Sequence, residues 1–271
     1  MIIPDRFNIA DAICKRHADA ITRIAVLEAK PAGFNTYTYG GLSFISDKFA
    51  IVLTQFGIEE GDAVAIILPQ SAAFIASVLG AMKAGAVAVQ LPPSLQKEDI
   101  EHALRESKAK AVVASSSIRA EVAELTAKIE NNGCLFIAGD SREANAPGGD
   151  AKSFWHEVYE ASSDFAPVDT ESSSPALISY AKGSDGNLRR AVRSHASLTS
   201  QLARFEMLNV SENNEDSASL SATDWSPVDV LPGFILPALW YGCAVSIESR
   251  DGHSYLSATI GSTRVALRAG I

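Results

Sequence analysis

The sequence predicts an α/β protein: mostly parallel sheets flanked by helices on both faces. Three observations carry this prediction. Between residues 63 and 138, short apolar strand-like runs alternate with helical patterns. Glycines such as Gly57 and Gly85 stand at the joints. The runs are apolar almost throughout rather than at every second position, as in strands covered on both sides.

The elements follow in order. Residues 8–16 read as a short helix with Asn8 as its N-cap. Residues 22–28 alternate like a strand, and 36–39 continue in that style. An amphipathic helix follows, with Leu42, Ile45, Phe49, Val52, Leu53 and Phe56 at steps of three and four, and Gly57 is placed to end it. Next come a strand at 63–68, a helix at 71–84 stopped by Gly85, and a strand at 86–91. A helix at 96–107, a strand at 111–114, a helix at 118–131 and a strand at 134–138 complete the alternation. Right-handed crossovers are expected to join the strands.

Residues 139–150 read as a Gly, Asn and Ala loop, and 162–174 as a polar connector rich in Ser, Asp and Pro. The connector divides the chain into a first lobe at 1–165 and the start of a second at 166–249, leaving a divergent tail at 250–271. The second lobe is expected to hold a strand at 176–180, a glycine loop and a helix at 196–208. Residues 211–219 read as an acidic surface loop, 228–241 as a helix and 244–248 as a strand.

The chain has 271 residues, 47% of them hydrophobic and 20% charged, with a net charge of -9. This is ordinary globular composition. The acidic balance gives no electrostatic footprint for nucleic acid or for an anionic membrane, so any anion site must be local. Cys14, Cys134 and Cys243 lie far apart, without metal-ligand spacing, which suits buried thiols in a reducing cytoplasm. No metal ligands are assigned, because no His, Cys or acidic cluster has a metal-binding spacing. The N-terminus shows no signal-peptide pattern. Residues 63–82 and 230–247 are uncharged and reach the length of about 18 residues at which a membrane span is considered. Their internal Pro and Gly residues instead predict a soluble strand–helix unit for each.

The chemistry is concentrated at Tyr180-Ala181-Lys182-Gly183-Ser184-Asp185-Gly186-Asn187-Leu188-Arg189-Arg190. Two glycines, a hydroxyl and several cations follow an apolar strand, and a helix pattern begins near His195. A phosphate loop needs backbone N–H groups aimed at oxygens, small residues that allow close approach, hydroxyls and positive charge.

Four segments in order resemble the amino-terminal half of the AMP-forming acyl-CoA synthetases, within the adenylate-forming superfamily. They are Ile67-Leu68-Pro69-Gln70-Ser71, the run from Leu79 through Gly85 to Val87 with Leu91-Pro92-Pro93, the glycine loop, and Ala222-Thr223-Asp224-Trp225 with the Leu236 to Gly242 block. The resemblance spans roughly residues 7–247. It implies ATP-dependent activation of a small-molecule carboxylic acid to an acyl-adenylate, with Mg, and then transfer to CoA. It also implies that Tyr180, Gly183, Ser184, Gly186 and Arg189 hold the nucleotide phosphates, with His195 helping to close the pocket.

The loop departs from the family pattern Tyr-Thr-Ser-Gly-Thr-Thr-Gly-x-Pro-Lys-Gly. Ala181 and Lys182 replace hydroxyls, Asp185 replaces a threonine, Leu188 a proline and Arg190 a glycine. A carboxylate beside a triphosphate costs roughly 1 to 4 kcal/mol. The loop reads either as a weakened anion site or as a solvated turn that has drifted. His195 reads equally as a capping or packing residue. Asp224 and Trp225 read as pocket or as helix start and core, while Trp240 and Tyr241 read as core. The family's adenine, magnesium and ribose motifs and its adenylation lysine fall beyond the matched part, so no catalytic residue is carried over.

The functional expectation is therefore a truncated, degenerate ligase that is catalytically incomplete. The alternatives are half of a split ligase and a non-enzymatic interaction module. Either would associate, with itself or with a completing polypeptide, through exposed apolar surface.

Overall fold

The computed structural model describes residues 3–30, 33–128, 133–139, 151–162, 164–183, 185–206, 220–222 and 230–247. Among them, two sheets form. The larger has seven strands in the order β7-β6-β5-β3-β4-β8-β9. These strands are β3 (Ala63–Ile67), β4 (Val87–Gln90), β5 (Ala109–Ser115), β6 (Cys134–Ala138), β7 (Lys152–Ser153), β8 (Pro175–Lys182) and β9 (Leu188–Ser194). All pairs are parallel except β8 with β9. The smaller sheet has the order β10-β11-β1-β2, built from β1 (Ile24–Lys30), β2 (Gly33–Thr38), β10 (Leu220–Ala222) and β11 (Val245–Ile247).

Helices cover both faces of the larger sheet, as the sequence predicts. Val64, Ile66, Ala111 and Val113 face one core, shared with α1 (Ile9–Arg16), α2 (Tyr39–Gln55) and α3 (Ala72–Lys83). Ala63, Ala65, Ile67, Val112 and Ala114 face the other, shared with α4 (Lys97–Ser107) and α5 (Arg119–Thr126). Successive strand residues point to opposite faces, so a strand buried on both sides must be apolar at every position.

α3 is buried along its whole length. A helix apolar all round belongs inside a protein or a membrane; here it lies beneath α2 and α1. Residues 63–82 are thus a buried strand and helix. No helix among the described residues is long and apolar enough to cross a membrane. Lys83 ends α3 with 1% exposure, and its ammonium donates to Ser46 Oγ at 2.9 Å and pairs with Asp47 at 2.7 Å.

The predicted caps are present. Asn8 accepts from the Ala10 and Asp11 amides; Ser71, expected as the first residue of its helix, is instead its N-cap and accepts from the Phe74 amide. Gly57 has φ +77°, and the following Ile58 amide returns to Leu53 O at 3.0 Å, closing α2 with a Schellman turn.

Several elements differ from expectation. α5 ends at Thr126, and residues 129–132 lie outside the described part, as do 140–150, 211–219 and the tail. The helix expected at 228–241 is a π turn at Leu231–Ile235 followed by α8 (Leu236–Trp240). Pro237 has no N–H for the α ladder, and the Leu236 amide reaches five residues back to Leu231 O. β7, β9 and α6 (Phe154–Glu160) were not expected from the sequence.

The 162–174 connector is stitched to the body of the protein. The Val168 amide donates to Lys83 O at 2.8 Å, and Phe7 and Thr170 exchange bonds across 163 residues. β8 pairs with β4, and β11 with β1, so segments 1–165 and 166–249 share both sheets.

Candidate functional site

The glycine loop is the turn of the β8–β9 hairpin. β8 is drawn into the sheet by Leu177, Ile178 and Tyr180, all buried. β9 carries Arg189, Arg190 and Arg193 and ends the order of the larger sheet, as an edge strand. α7 (His195–Glu206) follows directly.

Within the turn, the Gly183 amide donates to Asn187 O and the Gly186 amide to Gly183 O, each at 2.9 Å. Gly186 adopts φ +77°, a conformation open to glycine at no steric cost. The Asn187 amide donates to Asp185 Oδ1 at 3.2 Å, and its side chain donates to Asp185 Oδ2 at 3.1 Å. Arg189 Nη2 lies 3.2 Å from the same Oδ2. These donors, Asn187 foremost, hold the Asp185 carboxyl below the usual aspartate range. Ser184 lies outside the described residues.

The other loop cations are paired as well. Lys182 sits 2.7 Å from Asp99, and Arg190 sits 3.0 Å from Glu106. Both acids lie on α4, with His102 between them, at a spacing that puts all three on one helical face. Tyr180 is 2% exposed, and its hydroxyl donates to Glu106 Oε2 at 2.8 Å. That bond, with Arg190, depresses the Glu106 carboxyl, while burial and the adjacent carboxylate push the Tyr180 phenol up. Sequence reasoning missed Asp99, Glu106 and Asn187. The helical spacing of Asp99, His102 and Glu106 was the available signal.

The structure brings Tyr180, Gly183, Gly186 and Arg189 to one end of the hairpin. It does not bring His195 there. His195 begins where β9 ends, seven residues from the turn, or roughly 20 Å at strand rise. It is 1% exposed, and its Nδ1 accepts from the Ile9 amide at 3.2 Å. In the neutral ring the proton is therefore on Nε2, and burial lowers the pKa to about 4. Its position is that of a cap for the first amide of α1. Asp224 and Trp225 lie outside the described residues. Trp240 is buried beneath Arg16, 4.9 Å from its ring centre, and Tyr241 donates to Leu202 O.

An ATP cradle needs free amides and unpaired cations. Here the amides of Gly183, Gly186 and Asn187 are taken within the turn, and Lys182, Arg189 and Arg190 each face a carboxylate. In this conformation these amides and cations have partners within the protein. Among the described residues no group of three His, Cys, Asp or Glu comes together that could hold a metal.

Comparison with known proteins places this arrangement in context. The chain is 26% identical over 264 residues to a 4-coumarate–CoA ligase-like protein of Oryza sativa subsp. japonica, covering 95% of this chain and 45% of that one. It is 32% identical over 167 residues to the mitochondrial acyl-coenzyme A synthetase ACSM2 of Rattus norvegicus, covering 60% and 28%. It thus spans less than half the length of these relatives. The fold is shared with an anthranilate–CoA ligase solved with anthranoyl-AMP, at TM-score 0.77 and 18% identity, covering 91% of this chain and 46% of that one. It is shared too with ATP-bound MatB of Rhodopseudomonas palustris, at TM-score 0.73 and 21% identity, covering 89% and 45%. Residues 11–263 match the AMP-binding enzyme family, and the chain belongs to that family.

Proposed function

We propose that this chain is an acyl-CoA ligase-type AMP-binding protein that does not activate a carboxylic acid by itself. The family supports an ancestral reaction in which ATP and an acid give an acyl-adenylate, followed by transfer to CoA. One observation carries the proposal: the phosphate-loop segment is closed on itself, with its amides and cations satisfied by Asn187, Asp185, Asp99 and Glu106. The three thiols, Cys14, Cys134 and Cys243, are free, which supports a reducing compartment.

The test is pyrophosphate release from ATP and magnesium with a panel of aryl and aliphatic carboxylic acids. The expected result is no acid-dependent release above background. Acid-dependent turnover by the purified chain would overturn the proposal.

A second reading is favoured by the exposed rings of Phe34, Phe44 and Tyr159. Exposed apolar surface of this kind promotes association, either with a second copy or with a polypeptide that completes the ligase. Analytical ultracentrifugation is expected to show self-association in the isolated chain; a strictly monomeric species would remove the self-association arm. Recovery of ligase activity on adding the separate remaining portion of a relative would support the completing arm.

A further inference from the structure

Within the turn, the loop's donors converge on one carboxylate. Asp185 stands in an anion's place. Its two oxygens receive a backbone amide, a side-chain amide and a guanidinium, all from within the hairpin turn. That donor set is what a terminal phosphate oxygen would need. The space over Gly183 makes the same point independently. A Cβ built on Gly183 would lie 2.6 Å from Asp185 Oδ1 and 2.7 Å from Arg189 Nε. The open face of the glycine, where an anion could approach the backbone, is filled by this ion pair.

We propose that Asp185 is an intramolecular surrogate anion that occupies the loop and sets its affinity for polyphosphate, so that removing the carboxylate converts the turn into a polyphosphate-binding site. The inference rests on the family reading above. The ligand class is a polyphosphate, whether free or the tail of a nucleotide. Losing Asp185 does two things at once: it deletes a like charge beside the incoming anion, and it frees Arg189 and the Asn187 amide. Lys182 and Arg190 remain latched to α4 by Asp99 and Glu106, so the new site is centred on Arg189. The pair is solvent-exposed, with side-chain exposures of 68% for Arg189 and 45% for Asp185. The fold therefore does not depend on it.

The experiment is isothermal titration of the full chain and of its Asp185→Asn and Asp185→Ala variants, using sodium tripolyphosphate, ATP with magnesium, and AMP. The expected result is tripolyphosphate binding at least tenfold tighter in both variants than in the parent. ATP should show the same gain and AMP none. Adding Arg189→Ala to Asp185→Ala should return the affinity to the parent level. The Asn187 amide proton should also shift in Asp185→Ala, which removes its acceptor, before any ligand is added.

A gain of less than threefold in folded variants would overturn the inference. So would a gain that survives the loss of Arg189, or an unshifted Asn187 amide in Asp185→Ala. None of these results depends on acid activation. A chain that released pyrophosphate would sink the proposed function and leave the surrogate anion standing or falling on the affinity ratio.

Discussion

The Tyr180 hydroxyl donates to Glu106 at 2.8 Å, bridging 74 residues between the strand that enters the glycine loop and α4. Glu106 also receives Arg190 from the returning strand. One carboxylate therefore pins both arms of the hairpin to the same helix. Arg190 thus ties the edge strand β9 to α4, as Lys182 ties β8 to it through Asp99.

Replacing Tyr180 by Phe keeps the ring and removes the bond. A hydrogen bond to a charged group contributes about 1.5–3 kcal/mol when shielded. Glu106 is part-exposed and keeps Arg190, so the expected cost is about 1 kcal/mol. Urea unfolding of Tyr180→Phe, Glu106→Gln and the double variant checks this. The double variant should lose less than the sum of the two.

His195 gives the protein an acid sensitivity of definite sign. Its pKa falls from 6.5 to about 4 on folding, so the unfolded chain binds more protons between these values. Its contribution is complete above pH 6.5 and is lost as pH falls toward 4. From pH 7 to pH 5 the loss is about 2 kcal/mol. His17, also lowered by burial, acts in the same direction. Glu106 and Asp185 begin to contribute only below about pH 4.5, near the reference carboxylate values. Urea unfolding at pH 7 and pH 5 should show His195→Asn with a visibly flatter dependence than the parent. An Asn side-chain oxygen can still accept the Ile9 amide, so the variant should fold.

Gly80 separates packing from propensity. Gly to Ala in a helix gains about 1 kcal/mol on propensity alone. At Gly80, however, the new Cβ would lie 2.9 Å from both Phe49 Cδ1 and Ser46 O. Ser46 O is backbone and cannot turn away. Overpacking costs about 1–3 kcal/mol beyond the propensity gain, so Gly80→Ala should be destabilising. Gly41 in α2, where the nearest atom is Thr38 Oγ1 at 3.4 Å, provides the contrast. Gly41→Ala should be neutral or stabilising. Thermal denaturation of the pair checks the opposite signs.

The sequence disclosed what depends on local pattern. The strand–helix alternation from Ala63 to Ala138, the Asn8 cap and the Gly57 stop are all present. They rest on periodicity and backbone chemistry, which few residues decide. β9 escaped because three arginines in seven residues hide strand alternation, which only its edge position explains. α6 escaped because its seven residues are too few for a helical period to show.

At the site, the loop's place in the chain was legible and its state was not. The cations of residues 182–193 counted as positive charge in the sequence. Their neutralisation by Asp99 and Glu106 depends on α4 lying against the hairpin, a contact made some eighty residues apart. His195 likewise stood near the loop in sequence, yet a full strand separates them in space.

The pairing of β1 with β11 also governs the order in which the protein can assemble. Val26 lies opposite Val245, so the second strand of that parallel pair leaves the ribosome more than two hundred residues after the first. At about 5–20 residues per second, β1 waits on the order of ten to forty seconds for its partner. During that time it has only the β2 hairpin, which is marginal alone, while β3, β4 and β5 are already free to close. The smaller sheet is thus the last part to form and the first exposed to chaperones or to a neighbouring strand edge. A ribosome stalled before Val245 would hold a chain whose larger sheet is complete and whose β1 is still open.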